Sequence, residues 1–63
     1  MSEITETLEN ISEQLQEAIH DAEKFDLGNT SAGTRVRKAM QNVKSLAQSV
    51  RLEVQAQKNG VPA

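Results

Sequence analysis

The chain has 63 residues with 9 acidic and 7 basic side chains, and a formal net charge of −2 argues by itself against a nucleic-acid-binding protein. A core this small supplies at most about 3–5 kcal/mol, so a single domain that needs additional support is expected. Cysteine is absent and Phe25 is the one aromatic residue, which excludes disulfides and thiolate metal sites and leaves little for base stacking.

The first predicted element is a helix over about residues 3–26. Its apolar residues recur at alternating gaps of four and three, a heptad pattern typical of one helix packing on another. Ser2 is the predicted N-cap, and Glu3 and Glu6 suit the positive end of the helix dipole. The apolar positions are Ile4, Leu8, Ile11, Leu15, Ala18, Ala22 and Phe25, with Ile19 widening the stripe.

A hinge is predicted at about residues 27–31. Gly28 can adopt the left-handed conformation that ends a helix. Gly33 falls in the first turn of the next helix, where a glycine costs least. The candidates for the N-cap of that helix are Asn29, Thr30 and Ser31. Because the connection is short, the two helices should be antiparallel neighbours.

The second helix is predicted over about residues 32–58, with a short tail over about residues 59–63. Asn59 and Gly60 stop the helix, and Pro62 prevents it from resuming. Its apolar stripe is three positions wide, as expected for a helix covered on a broad face. The stripe consists of Val36, Ala39, Met40, Val43, Leu46, Ala47, Val50 and Val54.

These elements predict an all-α fold, an antiparallel two-helix hairpin. Facing residues of a hairpin have position numbers with a constant sum, and six pairs, beginning with Ile4 and Val54, share the sum 58. The second helix carries an extra apolar column, which includes Met40 and Ala47, and Leu52 lies off the stripe. Because these residues need a further surface, we expect two hairpins to assemble as a dimeric four-helix bundle.

No catalytic constellation is recognisable in the sequence. His20 has no second histidine and no cysteine to act with, and it points outward on the heptad numbering, so we interpret it as a solvated side chain. The acids at the outer positions of the first helix are interpreted as a solvated face rather than as metal ligands. The sequence therefore predicts a non-enzymatic protein with no catalytic residue, cofactor, metal or small-molecule substrate.

Basic side chains form the candidate binding surface. Four of them recur every seven residues from Arg37 to Lys58 and form a row on the flank of the apolar stripe, with steps of roughly 10 Å. Such a row can follow a phosphate backbone. The candidate residues for binding nucleic acid or a partner are Arg35, Arg37, Lys38, Lys44, Arg51 and Lys58, and those of the hinge are Gly28, Asn29 and Gly33.

The opening turns of the second helix are unusually basic. Arg35, Arg37 and Lys38 oppose the helix dipole there, and a broken local rule of this kind points to a function. The hinge also offers a local explanation, since Asp21 shares a flank with Arg35 and can pair with it. For the basic row three interpretations stay open: it is solvated, it meets the acidic face of another chain, or it binds a polyanion.

The hinge sequence resembles a known family. Gly28-Asn29-Thr30-Ser31-Ala32-Gly33-Thr34-Arg35-Val36-Arg37-Lys38 is similar to the Gly-Asn-x-x-Ala-Gly-x-Arg-x-Arg-Lys segment of bacterial histone-like proteins related to the chlamydial linker-histone-like family. The resemblance extends in pattern over about residues 4–57. It implies a nucleoid or DNA-compacting protein whose helical part self-associates, with Arg35, Arg37 and Lys38 as the matching basic positions. Many members also carry a Lys/Ala/Pro-rich tail, which residues 1–63 do not contain, and the first helix here is strongly acidic.

The sequence is consistent with two functions. One is a small histone-like, sequence-independent DNA-binding or architectural protein that associates with itself and with duplex DNA. The other is a non-enzymatic structural or regulatory assembly module, cellular or viral, that self-associates or binds a protein partner. No apolar run approaches the roughly 18 residues of a membrane span, and the acidic start predicts no export signal. We therefore expect a cytoplasmic protein, associated with the nucleoid if it binds DNA, or located in the virion or host cytoplasm if it is viral.

Overall fold

A computed structural model describes residues 3–60 of the protein. Helix α1 spans Glu3–Asp26 and helix α2 spans Thr30–Gly60. They lie side by side in a hairpin that measures 54 × 18 × 10 Å over its Cα atoms. The predicted all-helical hairpin is thus confirmed within these residues, and none of its helices is both long and apolar enough to cross a membrane. Ser2, the predicted N-cap of α1, and Pro62 lie outside the described residues.

Three residues, Leu27, Gly28 and Asn29, carry the chain from one helix to the other. The amide of Gly28 donates a hydrogen bond to the carbonyl of Phe25 at 2.9 Å, and the amide of Asn29 donates to the carbonyl of Lys24 at 3.0 Å. This crossed pair of bonds is the Schellman motif, which places a left-handed residue just after the helix. Gly28 fills that position with a φ of 102°, as predicted, because it has no Cβ to clash with the backbone.

Asn29 also begins α2. Its Oδ1 accepts a hydrogen bond from the amide of Ala32 at 3.2 Å, so Asn29 is the N-cap among the three predicted candidates. The hinge is consequently shorter than predicted, and α2 begins at Thr30 rather than at residue 32. At its other end α2 includes Asn59 and Gly60, which the sequence placed in the tail.

The helices meet along a narrow stripe that is tightest near the hinge. Ala18 of α1 and Ala32 of α2 are 6% and 0% exposed, and their small side chains let the two backbones approach closely. Half-buried side chains continue the stripe towards the free ends of the helices. They include Ile4, Thr7, Ile11 and Gln14 on α1, and Val36, Ala39, Val43, Leu46 and Val50 on α2.

The contact surface of α1 differs from the predicted seam. Leu8 and Leu15, which the heptad pattern placed in the seam, are 50% and 40% exposed, whereas Thr7 and Gln14 are half-buried. The apolar stripe of α1 is wider than the contact with a single helix, so one margin of it stays uncovered. Met40 of α2 is likewise 41% exposed, which confirms that this helix has apolar surface in excess of what the hairpin covers.

Gly33 has a packing role that its position in the first turn did not indicate. A Cβ at Gly33 would lie 2.6 Å from both Cδ1 and Cε1 of Phe25, closer than real Cβ atoms approach other carbons. The aromatic ring of α1 therefore packs directly on the backbone of α2 next to the hinge. The absence of a side chain at residue 33 is what makes this contact possible.

Replacing Gly28 with L-alanine should lower the free energy of unfolding by about 1 kcal/mol, because an L residue is disfavoured at positive φ. Crowding does not contribute, since apart from Gly28 and its two chain neighbours no residue has an atom within 4 Å of a Cβ built there. D-Alanine at the same position, introduced by chemical synthesis, should leave stability unchanged or raise it. Urea denaturation followed by circular dichroism at one protein concentration compares the two. Equal losses for both enantiomers would contradict a backbone origin.

Gly33→Ala should destabilise the protein when Phe25 is present. In a Phe25→Ala background the same change should stabilise it by about 0.5–1 kcal/mol, because alanine favours the helix over glycine and the clash with the ring is gone. A double-mutant cycle measured by urea denaturation gives both values. If Gly33→Ala stabilises equally in the two backgrounds, the ring moves aside freely and does not depend on the glycine.

Candidate nucleic-acid interface

One face of the hairpin is polar. A groove of about 370 Å³ runs along it between the helices, and we call it the polar groove. Its lining residues are Gln14, Glu17, Ala18, Asp21, Arg35, Lys38, Ala39 and Asn42. Because two acids and two bases face the same small space, the groove is largely neutralised from within and offers no net positive charge to a phosphate.

Asp21 and Arg35 cross-link the two helices at this groove. Arg35 Nε donates a hydrogen bond to Asp21 Oδ1 at 2.9 Å, and the pair is the one ion pair found within residues 3–60. The side chain of Asp21 is 19% exposed and that of Arg35 is 48% exposed. The pairing expected from the sequence is therefore confirmed. A partly exposed pair contributes roughly 0–1 kcal/mol, so its main effect is to orient the first turns of α2 against α1.

The opposite face of the hairpin is apolar. On α1, Leu8 and Leu15 lie on the other side of the buried stripe from Glu17, given 100° of rotation per residue. On α2, the column that contains Met40 lies on the other side from Arg35. Since Glu17 and Arg35 both line the polar groove, the apolar columns of the two helices lie together on the opposite face. We call this surface the apolar face; its large side chains are Leu8, Leu15, Ile19, Phe25, Met40 and Val54.

The predicted basic residues divide into two groups. Arg35 and Lys38 line the polar groove. The other four are exposed, and within residues 3–60 none of them forms an ion pair. They lie in a single row along α2 that borders the apolar face, and we call it the basic row: Arg37, Lys44, Arg51 and Lys58.

The other titratable side chains include His20 and the acids at the outer positions of α1. His20 is exposed on the outer side of α1. Within residues 3–60 no group of three or more histidine, cysteine, aspartate or glutamate side chains is arranged to hold a metal ion. The candidate surface is thus a charged and open one, not an enclosed pocket for a small ligand.

The sequence pattern grouped residues that the structure separates. Arg35, Arg37 and Lys38 are close in sequence, but Arg35 is held by Asp21 at the groove while Arg37 belongs to the basic row. Their spacing carried the signal for this division: residues seven apart share a column on a helix, and Arg35 has no basic residue seven positions after it. Phe25 and Gly33, by contrast, gave no readable signal of their contact.

The fold and this surface define a small helical hairpin protein that presents charge on an open face. The chain belongs to the histone H1-like protein Hc1 family, whose sequence model matches residues 5–60. The resemblance to the linker-histone-like proteins of this family is confirmed by that match. Neither a curated protein nor a solved structure matches the chain.

Arg35→Ala should reduce the free energy of unfolding by up to about 1 kcal/mol, because it leaves the half-buried Asp21 without its partner. Arg37→Ala is the matched control, since it removes the same side chain from an exposed position two residues away. The control should change stability by no more than about 0.5 kcal/mol. Urea denaturation of both variants tests this difference. A loss for Arg37→Ala as large as that for Arg35→Ala would refute a specific role of the ion pair.

Proposed function

We propose that this protein is a small histone-like, sequence-independent DNA-binding and architectural protein that contacts duplex DNA through the basic row. The observation that carries the proposal is the row itself, four exposed cations with no ion-pair partner within residues 3–60. Counterion release from phosphates favours the binding of such unpaired cations. Membership of the histone H1-like family supports the same assignment.

The dimensions of the row suit a duplex. From Arg37 to Lys58 it extends about 32 Å at 1.5 Å per residue, close to the roughly 34 Å of one turn of DNA. Cations at steps of about 10 Å on a straight helix reach phosphates, which position a protein without reading sequence. Phe25 is the one aromatic residue of the chain and packs on Gly33, so the sequence offers no platform of several aromatic side chains to stack on bases.

The two basic residues outside the row contribute differently. Lys38 borders the polar groove and adds a cation on another side of α2. Arg35 acts indirectly, since its bond to Asp21 holds the opening turns of α2 that carry Arg37. The acids of α1 weaken binding by a single hairpin, and self-association compensates by increasing the number of basic rows in one particle. The protein is non-enzymatic and acts at the nucleoid.

A second candidate function is that of an assembly module that binds itself or a protein partner. The apolar face favours it, because large side chains such as Ile19, 59% exposed, lie uncovered there. The basic row then meets the acids of another protein. The two functions differ in one respect: DNA binding falls steeply with salt and needs the basic row, whereas assembly proceeds without nucleic acid.

Lys44→Gln together with Arg51→Gln should weaken duplex binding and reduce the slope of log K against log salt by about 1.8, at 0.9 for each phosphate that the variant no longer neutralises. Fluorescence anisotropy with two unrelated duplexes between about 50 and 200 mM salt measures the affinity and its slope. Affinities for the two sequences should agree, because interactions with phosphates carry no sequence information.

The matched control changes net charge equally but on the other helix. Asn10→Asp with Gln16→Glu adds two negative charges at exposed positions of α1 and keeps the basic row. Its salt slope should equal that of the wild type, although its affinity falls modestly through long-range repulsion. If the wild type does not bind duplex DNA at ~50 mM salt, the DNA-binding proposal is withdrawn and the assembly module becomes the favoured function.

A further inference from the structure

We infer that two copies pair through their apolar faces with both hinges at the same end, so that α1 of each copy lies beside α2 of the other. The inference deepens the proposed self-association and rests on it. It names the surface that is used, the occupant of that surface and the arrangement of the four helices. Three observations carry it: the clustering of exposed apolar side chains, the size of the face and the charge on its two borders.

Exposed apolar side chains are concentrated on one face. Within residues 3–60, eight large hydrophobic side chains are exposed, and six of them belong to the apolar face. The other two, Leu27 at 89% exposure and Leu52 at 60%, lie at the hinge and on the outer side of α2. The hinge end of the face is closed by Phe25, whose ring covers Gly33 at the head of the Met40 column. A continuous stripe of this kind marks an interaction surface.

The size of the face fits a second hairpin. Its large side chains are spread over residues 8–25 of α1 and 40–54 of α2, about 26 and 21 Å of helix at 1.5 Å per residue. Across the 18 Å width of the hairpin this is a patch of several hundred Å², the size that marks an interaction surface. A second copy presents the same length and the same apolar columns, and burying both together builds the core that one hairpin lacks, since only Ala18 and Ala32 are buried within residues 3–60.

Charge on the borders of the face selects the arrangement. The α2 border is the basic row. The α1 border is acidic, and we call it the acidic rim: Glu9, Glu23 and Asp26. A twofold axis parallel to the helices keeps the hinges together and places the four cations of each basic row beside the three acids of the other copy's acidic rim, so each row keeps an excess of positive charge. A twofold axis across the helices puts the hinges at opposite ends and sets basic row against basic row. Opposite charges at close range favour the first arrangement.

A distance measurement on the full chain in the absence of DNA separates the two arrangements. Because the protein has no cysteine, Leu27→Cys gives a single attachment site for a nitroxide label at the exposed hinge. With helices packed 8–10 Å apart, labels at a shared hinge end should lie roughly 20–25 Å apart in pulsed electron paramagnetic resonance. Hinges at opposite ends would separate them by roughly the 54 Å length of the hairpin, which would overturn the inference.

Gln16→Cys, near the middle of α1, is the control label. It gives a short distance in either arrangement and so reports whether a dimer has formed at all. Absence of dipolar coupling at Gln16 together with a monomeric mass in sedimentation also overturns the inference. Because no DNA is present, these results do not depend on whether the protein binds it, and failure of the DNA-binding proposal leaves them unaffected.

Substitutions test the surface and the charge pattern separately. Met40→Glu, on the apolar face, should raise the dimer dissociation constant at least tenfold. Leu52→Glu, at an exposed apolar residue off the face, should leave it unchanged. Arg51→Glu should weaken the same-end dimer roughly two- to fivefold at low salt through repulsion by the acidic rim. In an opposite-end dimer the new glutamate side chain would face a basic row, and Arg51→Glu would lower the dissociation constant. A lower dissociation constant for Arg51→Glu therefore contradicts the inference, even if Met40→Glu unfolds the protein.

Discussion

The three-residue hinge constrains everything else in this molecule. Gly28 ends α1 through its positive φ, and Asn29 caps α2 with its side chain, so no residue between the helices is free to vary their separation. Because the connection is this short, α2 has to return along α1. The hinge also fixes which flanks of the two helices meet. It thereby places the polar groove on one face of the hairpin and the apolar face on the opposite side.

The hinge segment that resembles the family motif is largely a folding element. Within residues 28–38, Ala32 is fully buried against α1 and Gly33 accepts the ring of Phe25. Arg35 is bonded to Asp21. Together with Gly28 and Asn29, these positions account for most of the motif by contacts inside one hairpin. The motif therefore reports how the chain turns, and the remaining basic positions are the ones free to meet a partner.

The sequence was sufficient for the helices, the left-handed glycine and the ion pair, because each depends on local spacing. It was insufficient for the seam of α1. A heptad pattern registers every apolar residue on a broad stripe, but a single partner helix covers only part of it, so Thr7 is half-buried while Leu8 is 50% exposed. The contact of Phe25 with Gly33 was also not predictable, because the sequence pattern does not show that an aromatic ring packs on the backbone of a particular glycine. The basic row was readable from its seven-residue repeat, which already leaves Arg35 outside it, and the structure adds that Arg35 is bonded to Asp21.

The hinge also has a consequence for the order in which the hairpin forms. Phe25 and Gly33 are eight positions apart in the chain, Asp21 and Arg35 fourteen, and the sequence separation grows steadily towards the free ends. Closing a short loop loses the least chain entropy, so the contacts beside Gly28 form first and each later pair closes only a slightly longer loop. The hairpin should therefore zip from the hinge outward. A topology with such local contacts belongs to the fast-folding class, and residues near the free ends should influence the unfolding rate more than the folding rate.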